Sequence, residues 1–297
     1  MSAELSAQRP GSVGLPARAA RRRSIRLMPA LPIATLVTMV MLAILAGFIT
    51  PYDPVKQDLI HHLLPPVWAG GTAAHPLGTD SFGRDVLSRL LFGARVSLSV
   101  ALLSLIIATF LGTTVGLLSG YLGGNVDSIL MRFVDMILAL PTLLIALAVA
   151  IALGPSFTNI LLIIGLMIWP RTARLIRAET MLLKKQEFTR YARAIGVPGW
   201  RIVLRHVLPN VLPTLLVAVT LEIGHVILVE ASLSFLGAGI PPPQPSWGVM
   251  IADGRALIAT GWWIALFPGL AIMITVISCN VLGDWLRDRF DPKFKEI

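Results

Sequence analysis

Val96-Ser-Leu-Ser-Val-Ala-Leu-Leu-Ser-Leu-Ile-Ile-Ala-Thr-Phe-Leu-Gly-Thr-Thr-Val-Gly-Leu-Leu-Ser119 runs twenty-four positions without a charge. A helix rises about 1.5 Å per residue, so roughly 20 apolar residues cross a ~30 Å hydrocarbon core. Only a helix, or a closed barrel, pairs its backbone groups inside lipid. Five more stretches have the same character: Leu31–Thr50, Arg132–Leu153, Thr158–Ile176, Val211–Leu236 and Trp262–Leu286. The pattern predicts an all-α membrane protein with about six transmembrane helices. Composition agrees: 55% of the 297 residues are hydrophobic and 14% are charged, against about 25% charged in soluble domains.

Arginines precede the first run, as in a secretory signal. Its apolar core is too long, however, and no small-residue cleavage site precedes Pro51-Tyr-Asp-Pro54. It is read as a retained helix, at 31–50, behind a basic tail (1–30) whose Ala, Gly, Ser, Pro and Arg content predicts disorder. Lys and Arg placement sets orientation. With the N-terminus inside, only Lys56, Arg84, Arg89, Arg95 and Arg255 of the 25 basic residues fall outside. The expectation is N-in, C-in, with an external segment at 51–95, a five-helix core at 96–286 and a short tail at 287–297. The core contains a cytoplasmic loop at 177–209. The net charge of +9 is explained by this asymmetry. No basic stripe interleaved with aromatics points to nucleic acid. Cys279, the single cysteine, forms no internal disulfide and is read as a packing residue.

In the cytoplasmic loop, Phe188, Tyr191, Ala192 and Ile195 recur at helical spacing. Gly196 follows where a left-handed cap is easiest, and Pro198 stops continuation. Trp200, Val203, Leu204 and Val207 repeat the spacing before Pro209 closes the second helix. Such a helix–Gly–helix element either rests in lipid headgroups or docks its apolar face in a partner's groove.

This loop resembles the EAA loop of binding-protein-dependent ATP-binding cassette (ABC) importer permeases. It matches at Ala192, Gly196, Leu208 and Pro209 and departs at Arg190, Tyr191 and His206. Other stretches are similar to the C-type permease of dipeptide and oligopeptide importers: His75–Asp80, Gly83–Arg89, Gly120–Gly124, Glu230–Gly237, Pro241–Gly248 and Leu282–Asp288. Subunits for nickel, glutathione, opines and some sugars look alike. The resemblance implies a type I importer permease fold and half of a pore. The implied partners are a second homologous permease, two ATPase subunits that carry the ATP and magnesium, and a periplasmic solute-binding protein. It also implies that Phe188, Tyr191, Ala192, Ile195, Gly196, Leu208 and Pro209 form the ATPase-coupling loop, and that this chain holds no catalytic site, cofactor or metal.

Within the spans, Gly112, Gly116, Gly120 and Gly124 stand four apart and predict close approach of another helix. Pro141, Pro170 and Pro268 are expected to kink their spans. Ionisable groups in lipid default to function. Glu222 and Glu230, about 80° apart around one helix, are candidates for the wall of a translocation path meeting a peptide's amino group, with Asp135 a weaker one. Hydrogen bonding to a neighbouring helix is the alternative. Gly78–Asp85 has the glycine spacing of a phosphate loop but lacks its Lys-Ser/Thr. It is read as a helix start capped by Asp80 or Ser81, with Val86, Leu90 and Leu91 at the membrane surface. His61 and His62 are adjacent and diverge, a poor metal pair. The loop around Pro241–Trp247 is either a rim for the solute-binding protein, with Trp247 an interfacial anchor, or a rigid turn. An ion-driven transporter would carry inverted repeats and deep acidic relays; a membrane enzyme would carry a nucleophile or metal cluster.

Overall fold

The computed structural model describes residues 30–290. The N-terminal tail and its expected disorder lie outside the described residues, as do positions 291–297. Ten α-helices follow in order: α1 (Ala30–Ile49), α2 (Val86–Leu122), α3 (Gly124–Ala139), α4 (Thr142–Leu153), α5 (Phe157–Lys185), α6 (Glu187–Ala194), α7 (Gly199–Ile202), α8 (Leu208–Phe235), α9 (Trp247–Gly254) and α10 (Trp263–Phe290). No β-strand occurs among the described residues, only an isolated bridge between Thr79 and Asp85. Among the described residues five helices are long and apolar enough to cross a membrane, or six if the bent pair α3 and α4 is counted as one span.

Several boundaries differ from those the sequence predicts. Helix α2 begins at Val86, where the Asp85 side chain accepts from the Ser88 N–H at 2.7 Å. The helix start expected at Asp80 or Ser81 is therefore the beginning of a 37-residue helix, and Val86 is buried instead of lying at the membrane surface. Asp80 does not cap it: its Oδ1 accepts from the Phe82 and Arg84 N–H groups of the preceding turn, and its Oδ2 pairs with the Arg84 and Arg89 side chains. The third span is not one helix. Leu140 is extended, as a residue before proline prefers, and α3 and α4 meet at 84°. Pro170 and Pro268 do not end their helices: α5 and α10 continue through them. Pro209 does not close a separate helix either. The Leu208 N–H reaches back to the Val203 carbonyl in a π turn over Val203–Val207. This wider turn gives room ahead of a residue that has no N–H and crowds the preceding turn. Gly199–Phe235 is thus one 37-residue rod.

Helices α2 and α5 lie parallel. The Cβ that Gly112, Gly116 or Gly120 lacks would stand 2.6–2.7 Å from Thr172, Ala173 or Thr180 respectively, so the backbones touch where side chains are missing. Gly124 has open space around it and lies beyond the end of α2, outside this stripe. Helices α8 and α10 pack antiparallel, with Gly224 against Val276 and Gly283 against Leu221. Val100, Leu105, Ile160, Ile164, Ile168 and Val226 fill the main core. Apolar side chains also point outward, such as Ile44 and Phe48 on α1, Phe110 on α2 and Ile277 on α10, as a bundle dissolved in hydrocarbon requires.

Candidate functional site

At the end of the bundle where α2 and α5 finish, α6 forms a two-turn knob. Its turn ends as the sequence predicts: Gly196 has φ +82°, and the Val197 N–H bonds the Ala192 carbonyl at 3.0 Å. The four spaced residues do not share one buried face. Ala192 is buried among Leu117 of α2, Ile176 of α5, and Ile202, Val207 and Val211 of the rod. Thr189 beside it is buried, its hydroxyl donating to the Leu183 carbonyl at 2.8 Å. Phe188, Tyr191 and Ile195 point out, the last 80% exposed. Alanine is the residue small enough to let α6 approach that joint. Leu208 packs against the same cluster, while Pro209 is exposed. Trp200 and Leu204 on the rod extend the exposed apolar surface. Tyr121, at the end of α2, lies against Gly199, with Lys184 and Arg193 over its ring at 5.7 Å each.

The face shared by α3, α5 and α8 is charged. Asp135 pairs with Arg174, both more than half exposed. Asp127 takes a two-pronged hydrogen bond from Arg177, at 2.5 and 2.6 Å. Glu222 stands 3.8 Å from Arg171 in a cavity of about 360 Å³ that His225 also lines.

The family described as the binding-protein-dependent transport system inner membrane component matches residues 112–296. The chain belongs to this family. Its fold and its family identify this permease as a multi-pass inner membrane component of a transport system. It is 39% identical over 258 residues to the probable D,D-dipeptide transport system permease protein DdpC of Escherichia coli, covering 87% of this chain and 85% of that protein. It is 41% identical over 254 residues to the di/tripeptide permease DppC of Pseudomonas aeruginosa, with 85% and 84% covered. To the glutathione permease GsiD of Pectobacterium atrosepticum it is 38% identical over 296 residues, with 99% and 97% covered.

In this permease Glu230 and Glu222 do not border one cavity. Glu230 is fully buried and accepts from three hydroxyls: Ser234 at 2.9 Å, Ser246 at 3.0 Å and Ser97 at 3.3 Å. These serines bring together α8, the N-cap of α9 and α2. Hydrogen bonding to neighbouring helices, the alternative in the sequence, is what Glu230 does. Trp247 is no interfacial anchor. It is 1% exposed, and its indole N–H donates to the Leu90 carbonyl at 3.1 Å.

Sequence reasoning missed two features. One is the partnership of Arg171 and His225 with Glu222. The other is an ionic knot at the α9 end. Arg89 and Arg84 both bridge Asp80 and Asp253, with Asp80 and Arg89 almost wholly buried. The Trp263 indole N–H donates to the Thr79 carbonyl at 3.0 Å and closes the same loop on α10. No signal in the sequence joins Arg89 to Asp253, 164 residues away. Nearby, His61 bonds Asp58 at 2.8 Å and His62 bonds the Leu59 carbonyl at 3.0 Å, so the two rings serve different partners. The His61 hydrogen bond holds the Asp58 carboxyl below its usual range.

Proposed function

We propose that this chain is one membrane half of an ATP-driven importer for short peptides, and that α6 transmits the motion of an ATPase subunit to the pore. The observation that carries the coupling role is the two-sided knob. Phe188, Tyr191 and Ile195 offer an apolar surface to a groove, while Ala192 ties the same helix to α2, α5 and the rod at once. A push on such a knob moves helices as bodies, because packed interfaces switch between arrangements and do not deform smoothly.

The remaining parts follow the family. A second homologous permease completes the pore, two ATPase chains hold ATP and magnesium, and a solute-binding protein delivers the solute on the α9 side. The permease itself carries no catalytic group or cofactor. The surplus of Lys and Arg supports a cytoplasmic side for both termini and α6. The names of the relatives favour di- and tripeptides as solutes. A glutathione permease matching across 99% of this chain supports that same class, since glutathione is itself a tripeptide.

The test uses the assembled importer. Tyr191→Asp places a charge in the groove contact, and Gly196→Pro destroys the turn. Both are expected to cut peptide uptake at least tenfold and to uncouple ATP hydrolysis from the solute-binding protein. Uptake and hydrolysis coupled as in the wild type would refute the assignment.

A further inference from the structure

The cavity opens between the membrane-spanning parts of α5 and α8. Glu222 is fourteen residues past Leu208 and thirteen before Phe235, about 20 Å from either end of α8. Arg171 lies in the half of the α5 span nearer α6, five residues before Ile176. Within a ~30 Å core, ionisable groups face protein or a water-filled path, because lipid solvates them poorly.

The groups are not used up by one another. Arg171 Nη1 and Glu222 Oε1 are 3.8 Å apart, beyond hydrogen-bond length. Among the described residues five buried side-chain nitrogen or oxygen atoms find no partner in the protein. Two of them, Glu222 Oε2 and His225 Nε2, lie in this cavity one turn apart on α8. A buried polar atom left unpaired costs more than the bond it would make, so these two atoms are placed to bond water or a polar solute that enters the cavity. Glu230, eight residues on, shows the contrast: three hydroxyls satisfy it.

The three side chains differ in what they accept. Glu222 Oε2 is an acceptor only and suits a cation with N–H donors. The Arg171 guanidinium, 45% exposed, is a donor only and suits a planar anion. The His225 Nε2 bonds a donor or a carbonyl according to its tautomer. A cavity of about 360 Å³ is small for a ligand pocket.

We propose that Arg171, Glu222 and His225 form a transit site for a short zwitterionic peptide, with Glu222 receiving the α-ammonium and Arg171 the terminal carboxylate. This rests on the peptide-importer reading above and adds which atoms of the solute are read inside the membrane. Recognition of the two termini and not of side chains makes the site tolerant of peptide sequence and selective against blocked ends.

The experiment measures uptake by the assembled importer in proteoliposomes supplied with its solute-binding protein. The solutes are trialanine, its N-acetyl form and its C-terminal amide, each expressed relative to wild type. Glu222→Gln is expected to lower trialanine and amide uptake about tenfold, the scale of one charge-assisted hydrogen bond, and to change N-acetyl uptake less than about twofold. Arg171→Gln is expected to lower trialanine and N-acetyl uptake by a similar factor and to spare the amide. Glu222→Asp keeps the charge and is expected to retain trialanine uptake within about threefold, whichever blocked solutes the binding protein delivers. Equal loss for all three solutes, no loss, or Asp behaving as Gln would overturn the transit site and leave the importer reading standing. A wild-type assembly that takes up neither trialanine nor a mixed dipeptide pool would overturn the peptide reading and the site with it.

Discussion

Helix α5 has two sides that could hardly differ more. Toward α2, three glycines leave backbone against backbone, with no room for even a methyl group. Toward α8, the same helix borders a cavity with a loose ion pair and unpartnered atoms. The first contact is bought with missing side chains and makes α2 and α5 one body. The second holds opposite charges 3.8 Å apart without a direct hydrogen bond. A helix welded on one side and open on the other can carry its partner along while the opposite face rearranges, which is the shape of a rigid-body switch.

The comparison is broken most severely by Gly116→Leu. Its Cβ would meet the Ala173 carbonyl at 2.7 Å and the Arg177 nitrogen at 3.0 Å, backbone atoms that do not yield. The expected cost is about 3 kcal/mol or more, read as loss of the monodisperse, assembled permease in detergent. Glu230→Ala comes next. It frees three buried serine hydroxyls where α2, α8 and α9 converge, and the expected loss is about 2–4 kcal/mol in a denaturant or thermal melt. A matched pair of single methyl groups gives the smallest and sharpest contrast. Gly120→Ala gains up to ~1 kcal/mol of helix propensity but meets Thr180 Cβ at 2.7 Å and the Arg177 carbonyl at 2.8 Å, so a net loss of about 1–2 kcal/mol is expected. Gly269→Ala, inside α10 with nothing within 4 Å, keeps the propensity gain and is expected to be neutral or slightly stabilising. If both variants moved the melting temperature the same way, the seam would not be the fixed contact described.

The helical spans were legible because hydrocarbon imposes one rule along twenty residues, and the Gly196 turn because backbone geometry selects glycine locally. The glycine stripe was legible too, except that Gly124 extends the spacing past the end of the helix. Boundaries failed where distant charges intervened. The expected start of the second span, at Val96, stopped at Arg89 and Arg95. Helix α2 passes through both: Asp80 and Asp253 pair with Arg89 from elsewhere in the chain, and Arg95 stays exposed. The prolines act unequally: Pro141 bends its span by 84°, while Pro170 and Pro268 lie inside continuous helices and Pro209 follows a π turn. The two glutamates look alike in sequence and only their neighbours tell them apart. Ser97 and Ser246 close over Glu230, whereas Glu222 meets a single arginine that stays half in the open.

The unbroken course of Gly199–Phe235 has a mechanical corollary. At about 1.5 Å per residue the rod is about 55 Å long. Pivoting by about 5° at its Gly199 end sweeps Phe235 through about 5 Å, and Glu222 through roughly two-thirds of that. For any pivot at that end, residue count alone therefore fixes the ratio of the two displacements.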